Sequence, residues 1–139
     1  MSAITIYQEF LDEVSDALLA HDADRFLQRV FRPHLIVTET EEILVETDTD
    51  ARRQFEGFAN ALASQGVDAY IRSAREAWFV DASTLIGRHE SYIMSGSKLI
   101  VPRFSNETRL VLRAGVWGST ETRHHARYVA WPDILPRPS

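Results

Sequence analysis

The stretch LIGRHESYIM, residues 85–94, alternates along its length. Leu85, Gly87, His89, Ser91 and Ile93 are small or apolar around a single histidine, while Arg88, Glu90 and Tyr92 fill the opposite set. Neighbouring side chains on a β-strand point to opposite faces, so the pattern predicts a strand with Leu85, Gly87, His89, Ser91 and Ile93 turned inward. Three further segments share its character: VDAYIRSAREAWFV (67–80), NETRLVLR (106–113) and VWGSTETRHHARYVAW (116–131). All are rich in β-branched and aromatic residues. DAS, SGS and AG supply turn signals at or between their ends, and Pro102 breaks the run between the second and third strands. The reading is a meander of four long antiparallel strands.

Upstream the period changes. Ile4, Tyr7, Leu11, Val14 and Leu18 recur at spacings of three and four, the stripe of an amphipathic helix, widened by Phe10 and Ala17 and ended by His21. Asp22 caps a short second helix with Phe26, Leu27 and Val30 as its apolar face, and Pro33 closes it. HLIVTET (34–40) and EILVET (42–47) read as a hairpin. A third helix follows, capped by Asp48 or Thr49, lined by Phe55, Phe58, Ala59 and Leu62, with Gly66 at its C-terminal end. The fold class is therefore α+β: a curved six-stranded mixed sheet wrapped around three N-terminal helices, in a single domain over residues 1–131. Three prolines keep the tail PDILPRPS, residues 132–139, out of regular structure.

Composition narrows the function. A chain of 139 residues with 45% hydrophobic and 25% charged residues is an ordinary globular domain. It has no cysteine, which removes thiolate nucleophiles, disulfides and zinc–thiolate centres. A net charge of −5 argues against a nucleic-acid partner, which needs a basic face. Neither a signal peptide nor a membrane span is expected, and a cytoplasmic location is. The motifs GxSxG, GxxxxGK[ST] and GxGxxG are absent.

The same parity sorts the other strands. Leu110 and Leu112 face the core. On the last strand His124, Ala126, Tyr128 and Ala130 look inward, and Arg123, His125, Arg127 and Trp131 look outward. The adjacent His124 and His125 thus take opposite faces and cannot chelate one ion from a regular strand. On the first long strand Ile71, Ser73, Ala77 and Phe79 form the inner set, with Arg72 outward. Arg75 then also points in, so either a bulge shifts that strand or Arg75 is a pocket cation. The outer face gathers Trp78, Arg88, Tyr92, Arg113, Trp117 and Arg127 among mixed charges, a composition that suits a homodimer interface through the sheet.

The order of elements resembles the nuclear-transport-factor-2-like (cystatin-like) superfamily, the cone-shaped fold of ketosteroid isomerase and the SnoaL-like polyketide cyclases. The resemblance spans about residues 4–131. It rests on the first amphipathic helix followed by HDADRF (21–26), the capped third helix, the strand LIGRHESYIM and the closing hairpin RLVLRAGVW (109–117). It implies a homodimer and a pocket between sheet and helices, but no single activity, because the superfamily hosts isomerases, cyclases, dehydratases and non-catalytic proteins.

The leading expectation is a small-molecule pocket protein, of the isomerase, cyclase or dehydratase type, acting without a cofactor or metal on a hydrophobic or aromatic carbonyl compound. His89 or His124 would move a proton. Tyr128 would polarise the carbonyl as an enolate-stabilising phenol. Tyr7, Phe26, Phe55, Phe58, Arg75, Phe79, Ser91, Leu110 and Leu112 would line the pocket, with Phe104 at its mouth. The plainer alternatives are core histidines and a core tyrosine satisfied by hydrogen bonds. Ketosteroid isomerase carries a carboxylate base on its first strand, where this chain offers only Glu39, at the strand's end. A ligand-binding module without catalysis, and a structural subunit like the small subunit of ring-hydroxylating oxygenases, are the other two classes.

Overall fold

The computed structural model describes residues 1–125. Arg127, Tyr128 and the expected tail 132–139 lie outside the described residues. The elements run α1 (Ala3–Leu19), α2 (Ala23–Arg29), β1 (Val30–Val37), β2 (Glu42–Val45), α3 (Asp48–Ser64), β3 (Ala69–Asp81), β4 (Thr84–Ser95), β5 (Lys98–Leu99), β6 (Phe104–Arg113) and β7 (Val116–His125). The sheet order is β2-β1-β7-β6-β4-β3, with the two-residue β5 added on β4. Every pairing is antiparallel except β1 with β7, so the sheet is mixed.

Local chemistry sets the helix ends. The Ser2 hydroxyl accepts from the Thr5 amide to start α1, and the Asp22 carboxylate accepts from the Arg25 amide to start α2. α3 is capped by Thr47, one residue before the expected Asp48 or Thr49. Those residues instead occupy its first turn, where Asp48 and Asp50 face the positive end of the helix. Gly66, with a φ of 67°, ends α3 as expected. Pro33 does not close α2. β1 begins at Val30, and Pro33 sits where the β1–β7 register is interrupted between Val30 and Leu35, a position that needs no amide donor.

The core lies between α1, α3 and the inner sheet face. Tyr7, Phe10, Leu11, Leu18, Phe55, Phe58, Leu62, Leu85, Ile93 and Leu110 are all buried there. Ile4 was expected in this stripe but is 41% exposed, lining an open surface groove beside Gln8 and Ala74. β4 follows the predicted parity throughout: Leu85, Gly87, His89, Ser91 and Ile93 are buried.

β3 does not. Its register shifts between Ala74 and Glu76, leaving Arg75 as the bulged residue. Before the bulge Tyr70, Arg72 and Ala74 stand opposite the inward Ile93, Ser91 and His89. Beyond it Ala77 and Phe79 stand opposite Gly87 and Leu85. Ile71 and Ser73 therefore face outward, Arg72 faces inward, and Arg75 is exposed, bound to Glu90 and Tyr92. A further irregularity, between Arg109 and Leu110, leaves Thr120 without a partner on β6. Trp117 and Ser119 precede it on the inner face; Thr122 and His124 follow it there.

Candidate ligand-binding site

One row of the sheet carries most of the polar chemistry. His89 on β4 is directly opposite Asn106 on β6, which is directly opposite His124 on β7. All three are buried, at 2%, 2% and 9% exposure. The Ser91 hydroxyl donates to Asn106 Oδ1 at 2.7 Å, which turns the Asn106 amide nitrogen toward Nδ1 of His124. That nitrogen can only donate, so Nδ1 of His124 accepts and the ring is neutral with its proton on Nε2.

α1 reaches the same row. The Tyr7 ring lies against Gly87, where a Cβ would come within 2.4 Å of the ring carbons. Only a glycine leaves that space. The phenol oxygen then meets Nδ1 of His89, one inward position along the strand. Burial holds the Tyr7 phenol protonated far above its ordinary range. Burial also pushes His89 well below its ordinary value, and the Arg72 charge adds to that shift. Both partners are thus neutral at pH 7.

A third histidine completes the cluster. His34 projects from β1, with Nε2 at 3.2 Å from both Ser119 Oγ and Thr122 Oγ1. Burial first, and the Arg32 charge second, push it down to about 4. His34, His89 and His124 border one cleft between α1, α2, α3 and the sheet, with about 690 Å³ of empty space counting its open mouth. Phe10, Val14, Leu18, Phe26, Ile36 and Val45 supply its apolar wall; Tyr70, Arg72, Asn106 and Thr108 supply polar groups. Gln54 Oε1, on α3 in the same wall, is buried with no hydrogen-bond partner among the described residues. Among the described residues no three metal-ligating side chains converge on one point.

The expected site residues divide. His89, His124 and Phe26 line the cleft. Tyr7 and Ser91 stand behind them, holding His89 and Asn106. Phe55, Phe58 and Leu110 belong to the packed core rather than the cleft, and so does Phe104, whose ring lies 6.5 Å from that of His124. Arg75 is on the outer face because of the bulge. Phe79 keeps inward parity but is 45% exposed near the far end of β3, its ring against Trp117. Leu112, near the end of β6, is 36% exposed. Trp117 packs on the core, not on the outer face. Trp78, Arg88, Tyr92 and Arg113 do stand on the outer face. Arg88 bridges Glu76 and Glu107 and lies over the Trp78 ring, and Arg113 lies over Phe31.

The sequence reading missed Gln54, Tyr70, Arg72, Asn106, Thr108, Ser119 and Thr122 as cleft residues. The alternation of Asn106, Thr108 and Leu110 was the available signal for two of them.

No protein-family model and no curated protein matches the chain. Solved structures do. An NTF2-like protein of unknown function from Shewanella oneidensis superposes with a TM-score of 0.70 at 7% identity, over 88% of this chain and 98% of that one. A function-unknown protein of Mycobacterium tuberculosis gives 0.65 at 17% identity, over 95% and 76%. An NTF2-like protein with a cystatin-like fold from Novosphingobium aromaticivorans gives 0.65 at 12%, over 90% and 82%. At such identities the likeness shows the fold: the chain has the NTF2-like, cystatin-like α+β fold. No helix among the described residues is long and apolar enough to cross a membrane.

Proposed function

We propose that the protein holds a small, largely apolar molecule in the cleft and that His89 exchanges a hydrogen bond or a proton with its carbonyl oxygen. The observation that carries this reading is the pairing of Tyr7 with Nδ1 of His89. It fixes the ring and leaves Nε2 as the nitrogen available to a ligand. With the phenol donating to Nδ1, Nε2 carries the proton and can polarise a carbonyl. With Nδ1 donating to the phenol, Nε2 is a base. The depressed basicity of His89 favours the first role, because the ring stays neutral and keeps an N–H to offer. Among the described residues the cleft wall contains no aspartate or glutamate, so a carboxylate base of the ketosteroid isomerase kind has no counterpart there.

The test is deuterium exchange next to a carbonyl. 4-Phenylbutan-2-one is incubated with the protein in D2O, and loss of its α-proton signals is followed by NMR. Exchange above the buffer rate, lost in His89→Gln, supports enzymatic enolisation. Line broadening of the ketone without exchange supports the binding module instead. Neither effect would contradict both readings.

The sheet's outer face supports a homodimer in the same proposal. Ile71, Trp78 and Val80 are exposed there at 52%, 38% and 52%, beside the Arg88–Glu76–Glu107 pairs. Large aromatics beside paired charges suit a contact between two copies.

A further inference from the structure

Arg72 stands apart from the other arginines. Arg25, Arg29, Arg32 and Arg123 are, like it, half-buried, and each is ion-paired, with Glu13, Glu9, Asp48 and Glu121 respectively. Arg72 is the one half-buried arginine among the described residues that faces no carboxylate. Its Nε donates to Ser15 Oγ at 2.9 Å and its Nη2 to the Leu11 carbonyl at 2.9 Å, both on α1. Its Cζ lies 5.0 Å from the centre of the Tyr70 ring. The guanidinium is thus pinned by neutral acceptors and an aromatic face, and Nη1 has no hydrogen-bond partner among the described residues. It lines the cleft, where no other described side chain carries a permanent charge.

A cation drawn partly out of water without a counter-charge is costly, and an anion brought to it recovers that cost. A guanidinium already fixed in place loses little further freedom when it binds, which is the physical meaning of preorganisation. Its planar donor edge matches a carboxylate better than a point charge would. The rest of the wall, Phe10, Val14, Leu18 and Phe26, is apolar and can cover a hydrocarbon or aromatic body. Gln54 Oε1 lacks a donor among the described residues of the same wall.

We infer that the ligand of this cleft is an organic acid, a compact aromatic or aliphatic carboxylate whose anion is met by Arg72 against Tyr70 and whose body carries a hydroxyl donor for Gln54. This deepens the pocket reading and rests on it. The acid also changes the histidines. Its charge offsets that of Arg72, one of the groups that depress His89, so an occupied cleft makes His89 more basic than an empty one.

The experiment uses 3-(4-hydroxyphenyl)propionate and its neutral amide, 3-(4-hydroxyphenyl)propionamide. Affinity is measured by calorimetry at pH 7 and low salt, and the histidine ring signals are followed by NMR. Wild type is expected to bind the acid at least tenfold tighter than the amide, with the His89 pKa rising only in the acid complex. Arg72→Gln removes the preference; Arg72→Lys, which keeps the charge, retains part of it. The wild-type comparison of acid with amide needs no variant, so it decides the matter even if Arg72→Gln does not fold. Equal affinities, or a preference that survives in Arg72→Gln, overturn the inference while the amide's effect on His89 and His124 keeps the pocket reading. If neither compound moves either histidine, both fall.

Discussion

The Tyr7 phenol on α1 is hydrogen-bonded to Nδ1 of His89 on β4, across 82 residues of sequence, with its ring seated on Gly87. This contact fixes the first helix to the inner sheet face and fixes which nitrogen of His89 is left for a ligand. Tyr7→Phe keeps the ring and removes the bond, leaving a buried imidazole nitrogen unpaired. Such a loss costs about 1–3 kcal/mol. Urea unfolding is expected to show a lower midpoint with an unchanged slope. An unchanged midpoint would mean that water or a side-chain shift satisfies His89.

Gly87→Ala tests the seat beneath the ring. The new methyl group would lie 2.4 Å from Tyr7 ring carbons, so the helix or the ring has to move. Overpacking of this kind costs about 1–3 kcal/mol. The His89 ring signals are expected to shift along with the loss of stability. Wild-type stability and spectra in this variant would contradict the close approach of α1 to β4.

Stability is expected to depend on pH in a stated direction. His34 is pushed down to about 4 in the folded protein, whereas an unfolded chain gives histidine its ordinary value near 6.5. Between those values the unfolded state binds more protons, so stability rises with pH through the window. Read the other way, it is complete above about pH 6.5 and is lost as the pH falls toward 4, by about 3 kcal/mol for His34 alone. His89 is depressed too and acts in the same direction. Denaturation at pH 7, 6 and 5 checks this. His34→Gln is expected to flatten the dependence, and a wild-type protein equally stable at pH 7 and 5 would refute it.

The outer sheet face makes a prediction about assembly. Analytical ultracentrifugation at micromolar concentration is expected to show a dimer, and Trp78→Ser to weaken it at least tenfold, since exposed aromatics beside arginine dominate such contacts. A monomeric wild type would remove the interface assignment.

Much of the fold was legible. The alternation in LIGRHESYIM held at every position because β4 is central and paired on both sides. The expected inner set of β3 is right at Ala77 and Phe79 and wrong at Ile71 and Ser73. The fault is the bulge at Arg75. A charged side chain forced onto the core face was the sign of it, and choosing the bulge would have delivered Arg72 to the cleft. Pro33 marks His34 as the end of an element in the sequence, whereas it lies inside β1, because a proline is tolerated where a ladder is interrupted. Asn106, Thr108, Ser119 and Thr122 face inward yet read as polar. Hydrophobic alternation finds packed cores, and a cleft wall with hydrogen-bonding work to do is hidden from it. Tyr128 and Arg127 lie outside the described residues, so the phenol expected to polarise a carbonyl has no described position.

The most direct test of the central claim is a pH titration of the histidine ring signals of the wild-type protein by NMR, free and with 3-(4-hydroxyphenyl)propionate. The account predicts that in the free protein His34 titrates near 4 and His89 below its ordinary value, and that His89 shifts when the acid is added. Histidines that all titrate near 6.5 and ignore the acid would contradict it, and would return the row His89, Asn106, His124 to an ordinary sheet.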